Sequence, residues 1–476
     1  MSVSFSESIY QAAPVWMQNV LLNVYASGIE RHRYGDACRQ AVGRLLERER
    51  WDRERLDEFQ DARLREIVSL AFARSSYYRD LMAGLGLKPA DIRSTRDLQR
   101  LPLLPKEVVR ERAAELMTES RPRRDWLHGH TSGTTGSPLG LWYDRQLCIE
   151  NNALDLRQKL WGGKADEDWI GLFLGRVIVP TTQHSPPFWR VNRVQRQVWF
   201  SCFHMNEDNL RSYTDEILRR GLQFLEGYPS TIYILATHLL RTGTRLPMRA
   251  VFTSSETLHQ IQRDAIEQAF ECRLFDFYGL AERSIFASEC EEHGGKHLAE
   301  DFGFTEVVDE EGSPVAEGES GYLVGTSLHN RAMPMIRYRT TDISRIEVDQ
   351  CGCGRTLRRI ADISTKAEDI VMTPDGRMVS PSVLTHPFKP FDQIAKSQIV
   401  QHEIDRISIK IVPSTRFTRE DGAQLLDALR ARLGEEVRLE LDIVEDIPRE
   451  ASGKFRWVIS HVDHANLVSW DATSED

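Results

Sequence analysis

The chain has 476 residues, a hydrophobic share of 41%, a charged share of 28% and a formal net charge of -10 at pH 7. This length fits two or three domains of an ordinary globular protein, and the acidic balance argues against a nucleic-acid partner, which would need a basic surface. The seven cysteines, an odd number, and the lack of any apolar run of about 18 to 20 residues favour a cytoplasmic protein with reduced thiols and no integral membrane segment.

The first apolar segment, residues 13–29, is interrupted by Gln18, Asn19 and Asn23. We expect it to pack in the core, with a membrane-surface helix as the alternative. Residues 36–120 are charged, and their apolar residues return at intervals of three and four, which predicts a set of helices.

A run rich in glycine and hydroxyl residues, "HGHTSGTTGSPLGLWYD", covers residues 128–144. Glycine lets successive backbone N–H groups point at one spot, and hydroxyls add donors, so the run could cradle a phosphate. No Gly-Lys-Ser/Thr follows, and "LGLWYD" reads as a strand, which excludes a Walker A loop. An ordinary linker remains the alternative.

Beyond residue 125, apolar strands alternate with helical stretches, which predicts an α/β domain with largely parallel strands. Strand signals become denser after residue 301, and the last hundred or so residues read as a small α+β unit with one strong helix at 419–437. We therefore expect a large domain over 1–364 and a small, mobile domain over 365–476. Residues 186–200 fit either an exposed interface or a core, so no oligomeric state is predicted.

Four stretches together resemble the motifs of adenylate-forming enzymes, and they occur in the same order. "HTSGTTGSP" is similar to the phosphate loop, "FDFYGLAERS" to the adenine and magnesium motif, "PMIRYRTTDIS" to the ribose motif and "IPREASGKFR" to the C-terminal lysine motif. "EGYPSTIYILA", "TSSETL" and "CGCGR" make the closer likeness to the phenylacetate-CoA ligase branch and its relatives among capsular polysaccharide biosynthesis proteins.

This resemblance implies that ATP and Mg²⁺ convert a small carboxylic acid, by default an aromatic one, to an acyl-adenylate, and that coenzyme A accepts the acyl group. Thr134, Glu282 and Lys454 would be catalytic, with Glu282 binding Mg²⁺ and Lys454 reaching the adenylate from the small domain. Asp342 would accept from the ribose hydroxyls. The loop residues implied to hold the β and γ phosphates are Thr131, Ser132, Gly133, Thr134, Thr135 and Gly136. The other implied nucleotide contacts are Ser254, Ser255, Glu256, Phe277, Tyr278, Gly279, Glu282 and Lys366.

The chain departs from the family pattern at two places. Ser137 and Leu139 stand where the family loop often carries lysines. Residues 365–369 replace the hinge motif Gly-Arg-x-Asp-Asp, and Lys366 keeps the charge of the arginine without its bidentate fork. Because the second half-reaction uses this hinge, a second hypothesis is acyl transfer to an amine, a hydroxyl or a carrier, and a third is a noncatalytic scaffold.

Cysteine and histidine residues in two short segments predict a structural zinc site. Cys351 and Cys353 lie in a glycine turn, and Cys290 is followed by His293 and His297. Four sulfur and nitrogen ligands suit a closed tetrahedral zinc site, whereas buried reduced thiols are the alternative. Spacing alone favours His293, but the branch resembled here has a histidine shortly before a Glu-Asp pair, which favours His297.

Overall fold

The computed structural model of the chain describes residues 10–131, 139–363, 370–379, 381–388, 390–391, 393–413, 417–448 and 456–462. The amino-terminal part is helical, as the spacing of its apolar residues predicts. Its helices are α1 Val15–Ile29, α2 Asp36–Arg48, α3 Arg53–Arg74, α4 Ser76–Gly84, α5 Lys106–Glu111 and α6 Ala113–Leu116. A π-helical turn, Glu30–Tyr34, follows α1, and 3₁₀ turns cover Pro89–Asp91 and Thr95–Arg100.

A sheet of ten strands forms the centre of the protein, in the order β14-β15-β10-β9-β8-β7-β6-β3-β5-β4. The five central strands, β5, β3, β6, β7 and β8, are parallel to one another, and all other pairs in the sheet are antiparallel. The strands are β3 Ile170–Phe173, β4 Trp189–Asn192, β5 Gln197–Phe200, β6 Phe224–Gly227, β7 Ala250–Ser254, β8 Leu274–Gly279, β9 Phe286–Glu289, β10 Lys296–Leu298, β14 Ile346–Glu347 and β15 Arg359–Ile360. The predicted α/β class is confirmed, but the sheet is mixed, because its parallel strands are limited to the five central ones.

Four helices connect or flank the strands of this sheet. They are α7 Arg145–Trp161, α8 Glu207–Arg220, α9 Pro229–Thr242 and α10 Gln260–Phe270. Strands β3 and β7 are buried along their whole length, as expected for parallel strands covered on both faces. Residues 186–200, which fit either a core or an interface, supply β4 and β5, and Phe188 and Phe200 are buried in the core.

Two smaller sheets lie beside the large one. The hairpin of β1 Leu127–His130 and β2 Gly140–Tyr143 flanks the glycine loop, so the strand predicted directly after that loop is present. Strands β11 Gly303–Val308, β12 Gly321–Ser327 and β13 Tyr338–Ser344 form an antiparallel sheet. This sheet brings the stretch that resembles the ribose motif to the end of β8.

The carboxyl-terminal part contains a four-stranded sheet in the order β20-β19-β18-β21. Its elements are β16 Val371–Met372, β17 Met378–Val379, α11 Pro381–Thr385, a 3₁₀ turn His386–Phe388, β18 Ile394–Glu403, β19 Arg406–Pro413, α12 Arg419–Leu433, β20 Arg438–Ile443 and β21 Val458–Ser460. The predicted strong helix is α12, and the carboxylate of Asp421 and the hydroxyl of Thr418 cap its start reciprocally. Buried Arg377 donates to the carbonyls of Phe203 and Leu433 at 2.8 and 2.9 Å.

Helix α1 differs from the core helix that was expected. One face packs on the protein, with Leu22 and Ala26 buried, but Trp16 and Val24 are each 67% exposed. The core-packing expectation is therefore wrong for half of this helix. None of the helices in the described part of the chain is both long and apolar enough to cross a membrane.

Candidate active site

A cavity of about 330 Å³ opens where β7 and β8 end. The carboxyl ends of parallel strands are the usual place for ligand sites in α/β sheets, because the loops that follow them diverge there. Residues lining the cavity include Thr131, Ser230, Ser255, Glu256, Asp276, Phe277, Tyr278, Gly279, Glu282, Lys296, Tyr338, Thr340, Asp342 and Asp362. Three of the four family-like stretches thus meet at one cavity.

Tyr278 and Asp342 form one side of the cavity. The Tyr278 hydroxyl donates to Asp342 Oδ2 at 2.7 Å. Burial, and then the charge of Asp342, raises the pKa of Tyr278 well above its ordinary value, so the phenol remains a donor. This bond fixes the orientation of the Asp342 carboxylate at the cavity, and a carboxylate can accept from paired hydroxyls of a ligand.

Glu282 and Tyr338 form a second carboxylate–phenol pair at the cavity. The Tyr338 hydroxyl donates to Glu282 Oε1 at 2.5 Å, and both side chains are buried. Burial, together with the Glu282 carboxylate, raises the pKa of Tyr338 well above its ordinary value. The Tyr143 hydroxyl donates to the Ala281 carbonyl at 2.6 Å and so ties the glycine-loop hairpin to the turn that carries Glu282.

The segment after β7 places Ser254, Ser255 and Glu256 together, as the sequence predicts. Ser255 has φ of 71°, a left-handed conformation that is uncommon for a residue with a Cβ and is often found at functional sites. The Glu256 carboxylate accepts from the Ser230 backbone N–H at 3.0 Å, which joins this segment to the start of α9. Phe277 stacks on Phe286 with ring centroids 5.1 Å apart, so it is largely a packing residue.

A charge cluster that sequence reasoning missed, with buried Lys296 and Asp276 and exposed Asp362, lines the cavity. Lys296 Nζ lies 2.7 Å from Asp362 Oδ1 and 3.3 Å from Asp276 Oδ2, and the Thr253 hydroxyl donates to Asp276 at 2.7 Å. Burial raises the pKa of Asp276 to about 6, although the Lys296 ammonium lowers it. One signal was available for Asp276, because it lies two residues before Tyr278 and strand alternation places both on one face. The sequence gives no comparable signal for Lys296, because this residue lies in a polar stretch that is typical of a turn.

The glycine loop is anchored at its two ends. The Thr131 backbone N–H donates to the Leu139 carbonyl at 3.1 Å, and the Leu139 N–H donates to the Thr131 hydroxyl at 2.9 Å. Thr131 also lines the cavity. The remaining predicted loop residues, Ser132, Gly133, Thr134, Thr135 and Gly136, lie outside the described residues, and so do Lys366 and Lys454.

Four predicted metal ligands come together at the far end of the sheet. The ligand atoms of Cys290, His297, Cys351 and Cys353 all lie within 4.8 Å of one another. Cys290 Sγ is 3.6 Å from Cys351 Sγ, and Cys353 Sγ is 3.4 Å from His297 Nε2. His297 Nδ1 is 2.9 Å from the Leu357 carbonyl, which leaves Nε2 facing the thiols. Burial lowers the pKa of His297 to about 4, so the imidazole is neutral, as a metal ligand must be.

His293, the alternative ligand, lies apart from this group. Its Nδ1 is 3.3 Å from Glu289 Oε2, and its ring packs on Phe275 at 4.6 Å. Around the cluster, Arg355 pairs with Glu49 at 3.2 Å. This ion pair joins the turn beside the cluster to the end of helix α2 in the amino-terminal part.

The chain is similar in sequence and fold to several known proteins. A family model described as the CapK C-terminal domain matches residues 371–461. Protein CapK of Staphylococcus aureus is 24% identical over 95% of this chain and 99% of its own length, and the phenylacetate-coenzyme A ligase of Thermus thermophilus is 26% identical over 86% of this chain and 97% of its own. The crystal structure of 2-hydroxyisobutyryl-CoA ligase in complex with 2-HIB-AMP and CoA superposes with a TM-score of 0.57, at 23% identity, over 87% of this chain and 91% of that one.

Proposed function

The chain has the fold of the adenylate-forming CoA ligases and resembles the phenylacetate-CoA ligase branch over most of its length, and from this premise we propose that it activates a carboxylic acid with ATP. The acid attacks the α-phosphorus, pyrophosphate leaves, and the thiol of coenzyme A then displaces AMP from the acyl-adenylate. The observation that carries the proposal is the convergence of Glu282, Tyr278 and Asp342 at one cavity beside the anchored glycine loop.

Each of these side chains has a defined task in the first half-reaction. Asp342, held by Tyr278, accepts from the ribose hydroxyls of ATP. Glu282, held by Tyr338, supplies the hard carboxylate oxygen that Mg²⁺ prefers. When bound, the ion neutralises charge that builds on the phosphates in the transition state. The loop residues 131–136 add hydroxyl and backbone donors to the same phosphates.

The carboxyl-terminal residues 365–476 act in this proposal as the small domain, moving against 1–364. Lys454 arrives at the adenylate for the first half-reaction and leaves for the second, which suits a compact charge on a long, flexible stem. Lys366 occupies the hinge. The reaction takes place in the cytoplasm, where ATP and coenzyme A are available.

A second acyl acceptor is supported by the sequence around the hinge. Residues 365–369 lack the hinge arginine, and the matching domain model is that of CapK rather than that of a CoA ligase. An amine, hydroxyl or carrier in place of coenzyme A is therefore the second candidate. It shares the first half-reaction and differs only in the second.

Cys290, His297, Cys351 and Cys353 hold a structural Zn²⁺ in this proposal. Three thiolates and one neutral imidazole fit the closed tetrahedral set of structural zinc sites. The hydrogen bond from His297 Nδ1 to the Leu357 carbonyl fixes the tautomer of the ring, as hydrogen-bond partners of zinc-binding histidines do. The ion joins the β9–β10 hairpin to the 351–353 turn and takes no part in the chemistry.

The test is ATP–pyrophosphate exchange across a panel of aromatic and aliphatic carboxylic acids, with Asp342→Ala as the matched inactive variant. We expect exchange with at least one acid, strongly reduced in the variant. Adding coenzyme A should then yield a thioester, whereas exchange without a thioester would favour the second acceptor. Failure of every acid to support exchange, with ATP bound by the protein, would leave the scaffold hypothesis.

A further inference from the structure

Helix α1 contacts the protein through amide side chains as well as Leu22 and Ala26, and most of its large apolar residues face solvent. Amide side chains make its inner contacts: Gln18 Oε1 accepts from Arg190 Nε at 2.5 Å, and Asn19 Oδ1 accepts from the Val191 backbone N–H at 2.7 Å. Asn23 donates to the Val191 carbonyl at 2.8 Å. Because β4 is an edge strand, these amides satisfy backbone groups that would otherwise be open, and together with buried Leu22 and Ala26 they hold the helix on the sheet edge.

The outward side of α1 carries large apolar residues. We call them the apolar face of α1, and they are Trp16, Val20, Leu21, Val24 and Tyr25, with exposures of 67%, 52%, 38%, 67% and 59%. At 3.6 residues per turn they cover about half of the helix circumference. The helix contains no charged residue from Val15 to Ile29. Val194 in the adjoining β4–β5 turn is also exposed, and Ile261 and Val348 are exposed apolar residues elsewhere on the described surface.

Arginines border this face in a protein that is acidic as a whole. The β4–β5 turn runs along α1, because Asn23 Oδ1 accepts from the Arg193 backbone N–H at 2.7 Å and Glu30 accepts from Gln195 at 3.4 Å. Arg193 and Arg196 in that turn, and Arg31 just after α1, are exposed. The net charge of the chain is -10, so this edge differs in sign from the average surface.

We propose that the apolar face of α1 lies in the surface of an anionic lipid bilayer, with Arg31, Arg193 and Arg196 against the lipid phosphates. An uncharged apolar face with aromatic residues, bordered by arginines, is what an in-plane membrane helix presents. Anionic headgroups attract nearby arginines, so the two features act on the same partner.

The size of the face separates this partner from a second copy of the chain. The 15 residues of α1 extend about 22 Å, and with a width of about 10 Å the helix offers a footprint of roughly 220 Å². A stable dimer buries about 800 Å² on each partner. A bilayer sets no such minimum, because it takes up one helix face at a time. Pairing two such faces would also bring arginine borders close together.

Co-sedimentation of the full chain with vesicles tests the proposal. We expect binding to phosphatidylcholine vesicles that contain phosphatidylglycerol, and weaker binding at high salt or to pure phosphatidylcholine. Val20→Ser with Val24→Ser should lower the partition coefficient between vesicles and water by at least about tenfold, because the bilayer would no longer take up two isopropyl groups. The matched control, Ile261→Ser with Val348→Ser, removes equally exposed apolar groups elsewhere and should bind as the unchanged chain does.

Two further measurements locate the contact. Brominated lipid should quench part of the tryptophan fluorescence, and Trp16→Phe should bind normally but lose that quenching. Arg193→Glu with Arg196→Glu should remove the preference for phosphatidylglycerol. Absence of vesicle binding by the unchanged chain, or equal loss in the Ile261/Val348 control, overturns the proposal. So does a concentration-dependent dimer in light scattering that Val20→Ser with Val24→Ser converts to monomer, because a second copy would then cover the face.

Discussion

Removing the hydroxyl of Tyr338 is expected to weaken magnesium use without disturbing the fold. Tyr338→Phe keeps the buried ring and deletes the donor that lies 2.5 Å from Glu282 Oε1. A hydrogen bond to a charged group contributes roughly 1.5 to 3 kcal/mol, and the pair is buried, so little of this is screened by solvent. At about 1.4 kcal/mol for each factor of ten, this corresponds to a factor of roughly 10 to 150.

We therefore expect the Mg²⁺ concentration that half-saturates ATP–pyrophosphate exchange to rise by about 10- to 100-fold, with much of the rate recovered at high Mg²⁺. Tyr322→Phe is the control. It deletes a phenol that lies away from the cavity and whose oxygen is 3.5 Å from a carboxylate oxygen. Tyr278→Phe separates the two sides of the cavity, because it should raise the KM for ATP more than it changes the Mg²⁺ requirement. An unchanged Mg²⁺ dependence in Tyr338→Phe, or the same shift in Tyr322→Phe, would refute the role given to Glu282.

Three further changes test the metal cluster, the glycine loop and Lys454. Cys351→Ser with Cys353→Ser should lower the zinc content, measured by mass spectrometry, to near zero and reduce the free energy of unfolding by a few kcal/mol. The control variant Cys272→Ser should retain its zinc. Full zinc occupancy in the double variant would contradict the ligand set. Gly133→Val should abolish ATP-dependent activity with an unchanged circular dichroism spectrum, because the valine side chain would occupy the space proposed for a phosphate. Normal nucleotide binding by this variant would mean that the glycine-rich run is a linker. Lys454→Ala should slow adenylate formation by about 10² to 10³ while transfer from a supplied acyl-adenylate stays nearly normal, and equal loss in both half-reactions would argue against alternation of the small domain.

Local signals in the sequence predicted the elements and much of the site. The period of the apolar residues predicted α10 and α12, and the run after the glycine loop predicted β2. The family-like stretches predicted Tyr278, Glu282 and Asp342, which do meet at one cavity. The predicted metal ligands also come together, with His297 rather than His293 in the group. The helices and strands depend on a few neighbouring residues, which a sequence displays directly, whereas the cavity residues and the choice of His297 came from the resemblance to adenylate-forming enzymes.

Features that depend on packing between distant segments were not predictable in the same way. Lys296 reaches Asp276 only because β9 and β10 fold back beside β8, and Asp362 joins them from beyond β15. The phenol partner of Glu282 comes from a different sheet. The interruption of α1 by Gln18, Asn19 and Asn23 was visible, but the open edge of β4 that they bind was not, so the inward face could not be told from the outward one.

The sharing of Lys296 among carboxylates has an evolutionary consequence. Its ammonium lies within 4 Å of Asp276, Glu289 and Asp362, and of these only Asp362 is exposed. A buried charge that loses its partner is strongly destabilising, so replacing Lys296 with a neutral residue is expected to require a neutral residue at position 276 as well, whereas Glu289 keeps its ion pair with Arg263. We therefore expect natural replacements of Lys296 to be accompanied by a neutral residue at position 276, so that this part of the cavity lining changes at two positions together.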